Sequence, residues 1–354
     1  MSYEQSAKVI DNNLPCISKI STDIGQQRRK TGDDAYVAPR PSSRFVPVEG
    51  GRSWTVSVAI PGSVLSDCLS PERRTAVAGR LARALAVFSV DEVVIYDDSP
   101  PDSRPKSVDR KAHTGDVDPC HFLEHVLGYL EVPPFMRKLL YPLHPNLRTV
   151  SQLPSMDMPH HPNPADWLPY REGVAGKTTP TGTVIDVGLK DTVTVEDEIP
   201  PNTRVTLHYP DYRSPLAEAC DPAAPREDGG LYWGYTVRRA DSLSALWTEC
   251  KYEGGYDVSI GTSERGRSLG QQFPDFQPLQ FKHLLVVFGG PRGIEYAAVN
   301  DKELEGMDIN AGKVRELFDH WVNVLPGQGS RAIRTDEALW VGMTAMRRLW
   351  AEDY

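Results

Sequence analysis

Hydrophobic and polar positions fall into successive regimes along the chain. Residues 1–50 are rich in Ser, Asn, Gln, Pro, Arg and Asp and show little apolar periodicity, which predicts a disordered or loosely attached arm. Trp54 to Ile60 then reads as a strand, ended by Pro61-Gly62, and Ser70-Pro71 supplies an N-cap and a first-turn proline for a helix. Val77, Leu81, Ala84, Leu85 and Phe88 recur on one face of that helix, and Glu92 to Tyr96 reads as the next strand. This β-α-β opening favours a parallel sheet covered by helices.

After a charged loop from Asp97 to Asp118 and a helix over about Pro119–Leu130, proline dominates between Pro133 and Pro169 and forbids long helices. From Tyr170 the pattern changes to short β-like runs at Arg171–Ala175, Gly182–Val187, Thr192–Val195 and Thr203–Tyr209, a texture that suggests a small barrel of OB type. The α/β texture resumes at Leu231. Strands are predicted at Tyr235–Arg238, Tyr256–Ile260, Leu284–Phe288 and Trp321–Leu325, with a helix around Ser242–Cys250. A last helix starts at Asp336, with Thr335 as its N-cap, acidic residues in its first turn and Leu339, Met343, Met346 and Trp350 as its apolar stripe. The plan is an α/β domain, 51–145 and 231–354, interrupted by a linker and β-barrel insertion over 146–230.

Length agrees with this division, because 354 residues exceed one domain of about 150. No window approaches the roughly 20 apolar residues of a membrane span, and the start shows no basic-then-apolar secretory signal. Five scattered cysteines (Cys16, Cys68, Cys120, Cys220, Cys250) form no C-x-x-C pair and fit free thiols in a reducing compartment. The net charge of −9 argues against a protein that coats nucleic acid nonspecifically. It leaves room for a local basic site, since Arg238, Arg239, Arg265, Arg267, Arg331, Arg334, Arg347 and Arg348 cluster late in the chain.

Three glycine-containing segments follow α/β strands: Gly261-Thr-Ser-Glu-Arg-Gly266, Gly289-Gly-Pro-Arg-Gly293 and Pro326-Gly-Gln-Gly-Ser-Arg331. Ligands of open α/β sheets gather at the carboxyl ends of strands, where glycines let a ligand approach the backbone, so three such loops in one half of the chain predict a ligand site. Gly327, Gly329 and Ala332 also match a dinucleotide fingerprint. That reading fails on position, because no strand can follow before Tyr354 to carry the ribose-binding acid, and residues 332–334 separate the glycines from the helix start. His121-Phe-Leu-Glu-His125 matches the inverted zinc-peptidase motif but has no third ligand in view, so no metal is expected.

Together, Gly261–Gly266, Val286–Gly290 and Pro326–Ala338, preceded by Leu231–Arg238 and by Val58–Ser63, resemble the SPOUT class of RNA methyltransferases, specifically its eukaryotic and archaeal branch with an OB-type insertion. The resemblance runs from Trp54 to the end and omits 1–50, where members often carry a lysine-rich arm that this chain lacks. It implies a trefoil-knotted α/β fold, a homodimer with sites at the subunit interface, and S-adenosyl-L-methionine bound bent among the three loops. The implied cofactor contacts are Gly289, Gly290, Leu325, Gln328, Gly329 and Ile333 through the backbone and Thr262, Arg265, Asn323 and Thr335 through side chains.

Methyl transfer to an RNA nucleophile needs in-line placement and one base. Glu264 or Glu337 is a candidate base, with Glu337 alternatively a helix-dipole partner. Arg331, Arg334 and Arg265 are candidates for binding phosphate or polarising the target, and Arg238 for binding RNA. Tyr170, Tyr209 and Tyr232 either stack RNA bases or fill the barrel core. The wider class implies ring-nitrogen methylation of a uridine in ribosomal RNA, in the nucleus or nucleolus, with the cytoplasm as the alternative. The competing expectation is a noncatalytic RNA-binding or spindle-associated scaffold that keeps the cofactor pocket.

Overall fold

Every residue of the strand Thr55–Pro61 (β1) is buried, as are all of Glu92–Tyr96 (β2) and His283–Val287 (β10). Strands hidden on both faces read as continuous apolar runs, and a parallel sheet covered on both sides produces them. In the computed structural model, which describes residues 50–163, 166–211 and 216–350, these strands form the centre of a six-stranded sheet. The other members are Thr236–Ala240 (β8), Val258–Ser268 (β9) and His320–Asn323 (β11), in the order β11-β9-β10-β1-β2-β8, with every pairing parallel.

Alternation along β1 sends Val56, Val58 and Ile60 into one core and Ala59 into the other. The first core receives the stripes of three helices, Pro71–Val87 (α1), Pro119–Glu131 (α2) and Thr335–Met346 (α4). Ser70 caps α1 by accepting from the Arg73 N–H, and Leu339, Met343 and Met346 are wholly buried. The second core includes Ile294, Ala297 and Ala298 of a short helix, Gly293–Val299 (α3). Its seven residues give too little periodicity to register in the sequence.

The insertion forms a separate antiparallel sheet of Tyr170–Thr179 (β3), Gly182–Asp186 (β4), Val193–Val195 (β5), Arg204–His208 (β6) and Glu218–Cys220 (β7), in the order β5-β4-β3-β6-β7. Three-residue β7 is a strand the sequence does not announce. Ile185, Val187, Val195 and Leu207 are its small core. The proline-rich stretch before it is more than a linker, since Met156, Met158 and His160 are buried and the first two join the main core. The helix predicted around Ser242–Cys250 shrinks to Ala245–Thr248. The arm over 1–50 falls outside the described residues except for its last position.

Candidate active site

Parallel strands place all their carboxyl ends on one edge, and there β9, β10 and β11 surround a cavity of about 370 Å³. The segment Gly261–Gly266, predicted as a loop, is part of β9. Against β11 the register jumps from Trp321↔Gly261 to Val322↔Arg267, so the residues between bulge from the ladder, and Thr262–Arg265 reach the cavity wall. Phe288–Gly293 follows β10 and supplies the floor. Residues 324–333, between β11 and α4, supply the far wall.

Side-chain hydroxyls and amides tie these segments together. The Thr262 hydroxyl donates to the Val287 carbonyl at 2.9 Å, and that of Thr335 to the Gly289 carbonyl at 2.9 Å. The Asn323 amide donates to the Glu264 carbonyl at 2.8 Å while its oxygen accepts the Leu325 N–H at 3.0 Å. The buried Tyr96 hydroxyl donates to the Phe288 carbonyl at 2.7 Å. Glycine is obligatory on the floor: a Cβ at Gly289 would lie 2.7 Å from the Ile294 nitrogen, and one at Gly290 2.1 Å from Ser63 Oγ.

Of the ten residues expected to contact a cofactor, nine line this cavity; Gly329 alone does not. Their roles shift in one respect. Thr262 and Thr335 spend their hydroxyl donors on the loops themselves, so they shape the cavity, while Asn323 spends one of its two amide hydrogens on Glu264 and keeps the other. Thr335 is also the first residue of α4 instead of its cap, because its hydroxyl turns to Gly289. The backbone N–H groups of Gly290, Gln328 and Ile333 have no hydrogen-bond partner among the described residues, which leaves them for a bound molecule.

Arg331 and Glu264 line the cavity, both exposed. Glu337 does not: it lies exposed in the first turn of α4, where its carboxylate accepts the Arg334 N–H at 3.1 Å. Its local duty is therefore capping. Arg334 stands outside the wall with its guanidinium 3.3 Å from the buried Asp336, which Arg80 holds at 2.6 Å. Arg238 is on β8, at the opposite edge of the sheet, committed to buried Glu92 at 3.5 Å and to the Ala245 and Leu246 carbonyls. There it serves as an internal tie, away from the cavity. Tyr170 and Tyr232 are buried, and Tyr232 donates to the Val90 carbonyl, so they are core.

Among the wall residues that residue-type reasoning did not assign to the site, three are polar or charged: Ser263, Arg292 and Glu295. Glu295 accepts from the Ser263 hydroxyl at 3.0 Å and faces Arg265 at 3.8 Å, which pins the β9 bulge to α3. The signal for it was Gly293, whose φ of +77° marks the turn into α3. At the H-x-x-E-H helix, His121 Nδ1 pairs with the Thr114 hydroxyl at 2.9 Å and His125 stacks on Tyr141. Burial, with His144 and His121 close by, pushes His125 down to about 4. Among the described residues no group of His, Cys, Asp or Glu is placed to hold a metal ion.

A parallel α/β sheet with a glycine-floored cavity at its strand ends defines a ligand-binding α/β protein of the kind that seats a small cofactor. Comparison with known proteins makes the class specific. A family model described as "Putative RNA methyltransferase" matches residues 55–346. The chain is 39% identical over 306 residues to a 28S rRNA (uridine-N(3))-methyltransferase of Homo sapiens, covering 84% of this chain and 79% of that protein. It is 38% identical to the mouse protein of the same name over 84% and 77%, and 40% identical to that of Drosophila melanogaster over 83% and 62%. The chain belongs to this family and is an RNA methyltransferase.

Proposed function

We propose that the protein transfers a methyl group from S-adenosyl-L-methionine to the ring N3 of a uridine in large-subunit ribosomal RNA. The observation that carries this reading is the cavity across the ends of β9, β10 and β11, in a chain whose relatives bear that activity in their names. The residues fit the cofactor. Glycines 289 and 290 leave no side chain on the floor, and unpartnered N–H groups at Gly290, Gln328 and Ile333 suit an adenine and a carboxylate. When bound, S-adenosylmethionine supplies an electrophilic methyl group on a sulfonium.

Exposed Arg331 and Arg265 at the mouth suit the phosphates of the RNA. The strand order runs out to β9, back in to β10 and out again to β11, a path that supports the knotted reading, and the separate antiparallel sheet supports an OB-type insertion. A homodimer and a nucleolar place of work, where ribosomal RNA is modified, complete the proposal.

The test is to map N3-methyluridine in ribosomal RNA by mass spectrometry with and without the gene, and to follow transfer by the purified protein. A site that loses its methyl in the deletion and regains it on adding the protein is the expected result. Wild-type protein that binds S-adenosylmethionine yet methylates no RNA pool overturns the reading in favour of a scaffold.

A further inference from the structure

Next to the cavity just described lies a second, of about 440 Å³, at the carboxyl ends of β1 and β2. Its volume is within the roughly 300–1,000 Å³ of small-molecule sites. Pro291 and Arg292 belong to both walls. Gly290 stands between the two: a Cβ there would lie 2.1 Å from Ser63 Oγ and 3.2 Å from Asp98 Oδ2, and both of those residues line the second cavity. One glycine thus separates a ligand in the first cavity from a carboxylate in the second.

The second cavity is built around buried charge. Asp98 is 3% exposed, and its carboxylate accepts the Ser63 N–H at 3.2 Å and hydroxyl at 2.5 Å. Those bonds use about half of a carboxylate's roughly four acceptor positions. Arg74, 7% exposed, lines the same space; its terminal nitrogens engage Asp116, but its Nε is buried without a partner. An unmet buried donor is costly, so a small movement of Arg74 that offers it to a ligand carbonyl is favoured. Arg292 is held over the Tyr296 ring at 4.7 Å.

Resting on the function proposed above, we propose that this cavity takes the target uracil and that Asp98 removes its N3 proton. Uracil presents an N–H between two carbonyls, so it asks for an acceptor flanked by donors. A carboxylate with guanidinium donors in one cavity supplies these groups, whereas cytosine would set its own N3 lone pair against the carboxylate. In the step, the N3–H bond breaks, the proton passes to an Asp98 carboxylate oxygen, and the electron pair stays on N3 as the nucleophile. Burial, opposed by the Ser63 hydrogen bonds and aided by Asp97, holds the Asp98 carboxyl above its ordinary value, which makes it a better base than an exposed carboxylate. Tyr96 and Cys120, which also face it, are held protonated by burial.

The test uses the full chain. Asp98→Asn is expected to bind S-adenosylmethionine within about twofold of wild type by calorimetry, while methyl transfer falls about a hundredfold or more. The wild-type rate rises with pH as Asp98 ionises, and the variant loses that rise. Independently of activity, uridine 5′-monophosphate titrated into the cofactor-free protein is expected to shift the amide resonances of Ser63, Asp98 and Arg292. Cytidine 5′-monophosphate and the Arg74→Gln variant each weaken that binding by about tenfold. An Asp98→Asn protein with wild-type rate and pH profile overturns the role of Asp98. Absent shifts, or equal affinity for both nucleotides, overturn the cavity assignment. Wild-type protein that methylates no RNA overturns the proposed function instead, and the nucleotide titration still decides the cavity.

Discussion

One methyl group at position 290 would collide with Ser63 Oγ, itself held by Asp98, so the floor of the cavity at the ends of β9, β10 and β11 has no slack. Gly290→Ala is expected to weaken S-adenosylmethionine binding at least about tenfold by calorimetry, a cost of about 1.4 kcal/mol. Gly306→Ala, in a helix with open space around it, leaves binding unchanged. Glu337 shows the other side of residue-scale reading. A carboxylate beside the glycine segment is a candidate base, yet that of Glu337 closes the first turn of α4 on the Arg334 N–H. Glu337→Ala therefore costs about 0.5–1 kcal/mol in thermal unfolding and keeps methyl transfer within about threefold of wild type. A hundredfold loss of rate at unchanged stability would restore it as the base.

Between elements, the decisive contact joins the insertion to the parallel-sheet domain. Arg204 of β6 reaches Glu131 at the end of α2 through two nitrogens, at 2.6 and 3.0 Å, and Glu172 of β3 at 2.5 Å. Trp233 donates its indole N–H to Glu172 at 2.6 Å, and His160 approaches Glu131 at 2.8 Å. Burial opposes ionisation of Glu131, but the Arg204 charge and the His160 hydrogen bond outweigh it and hold the carboxyl far below its usual range. Removing one partner strands a buried charge, so Arg204→Ala is expected to cost about 3 kcal/mol in denaturant unfolding. Arg80→Ala, whose half-exposed guanidinium ties α1 to Asp336, costs less, about 1 kcal/mol.

For the whole molecule, half-buried histidines that desolvation keeps neutral contribute to the response to acid. Burial with His160 pushes His161 down to about 3, and His125 stands at about 4, both from an ordinary 6.5. The unfolded chain takes up these protons near pH 6.5 and the folded chain does not, so the stability they contribute is present above that pH and is lost as pH falls toward 4 and 3. Glu131 acts in the same direction below its ordinary 4.5. Chemical denaturation between pH 7 and pH 4 should show a falling midpoint, and His125→Gln with His161→Gln should flatten it. The net charge of −9 bears on RNA at this same scale. A chain of this charge is expected to neutralise few phosphates, so its affinity for RNA should fall only shallowly with salt, by about 0.7–0.9 logarithmic units per contact for each decade.

Periodicity and cap residues placed β1, β2, α1 and α2 within a residue or two and the start of α4 likewise, because each long element buries one repeating face; the α4 stripe was read on to Trp350, whereas the helix ends at Met346. The three glycine segments marked the cavity at the ends of β9, β10 and β11 for a related reason: a backbone that a ligand must approach excludes side chains, and that exclusion is written locally. Strand order was not written so. The sheet β11-β9-β10-β1-β2-β8 depends on which apolar strands exchange hydrogen bonds, and nothing in one strand names its neighbour. For the same reason Ser63, at the end of a stretch that carried the family resemblance, and Asp98, in a charged loop with no assigned role, met Gly290 only through the parallel pairing of β1 with both β2 and β10. Arg238 was taken away from the cavity because β8 folded it onto Glu92. Sequence determined which segments are strands, helices and ligand loops, since those follow from local sterics and periodic burial. Tertiary structure alone decided which charges are spent in pairs and which remain facing a cavity, since that depends on long-range packing.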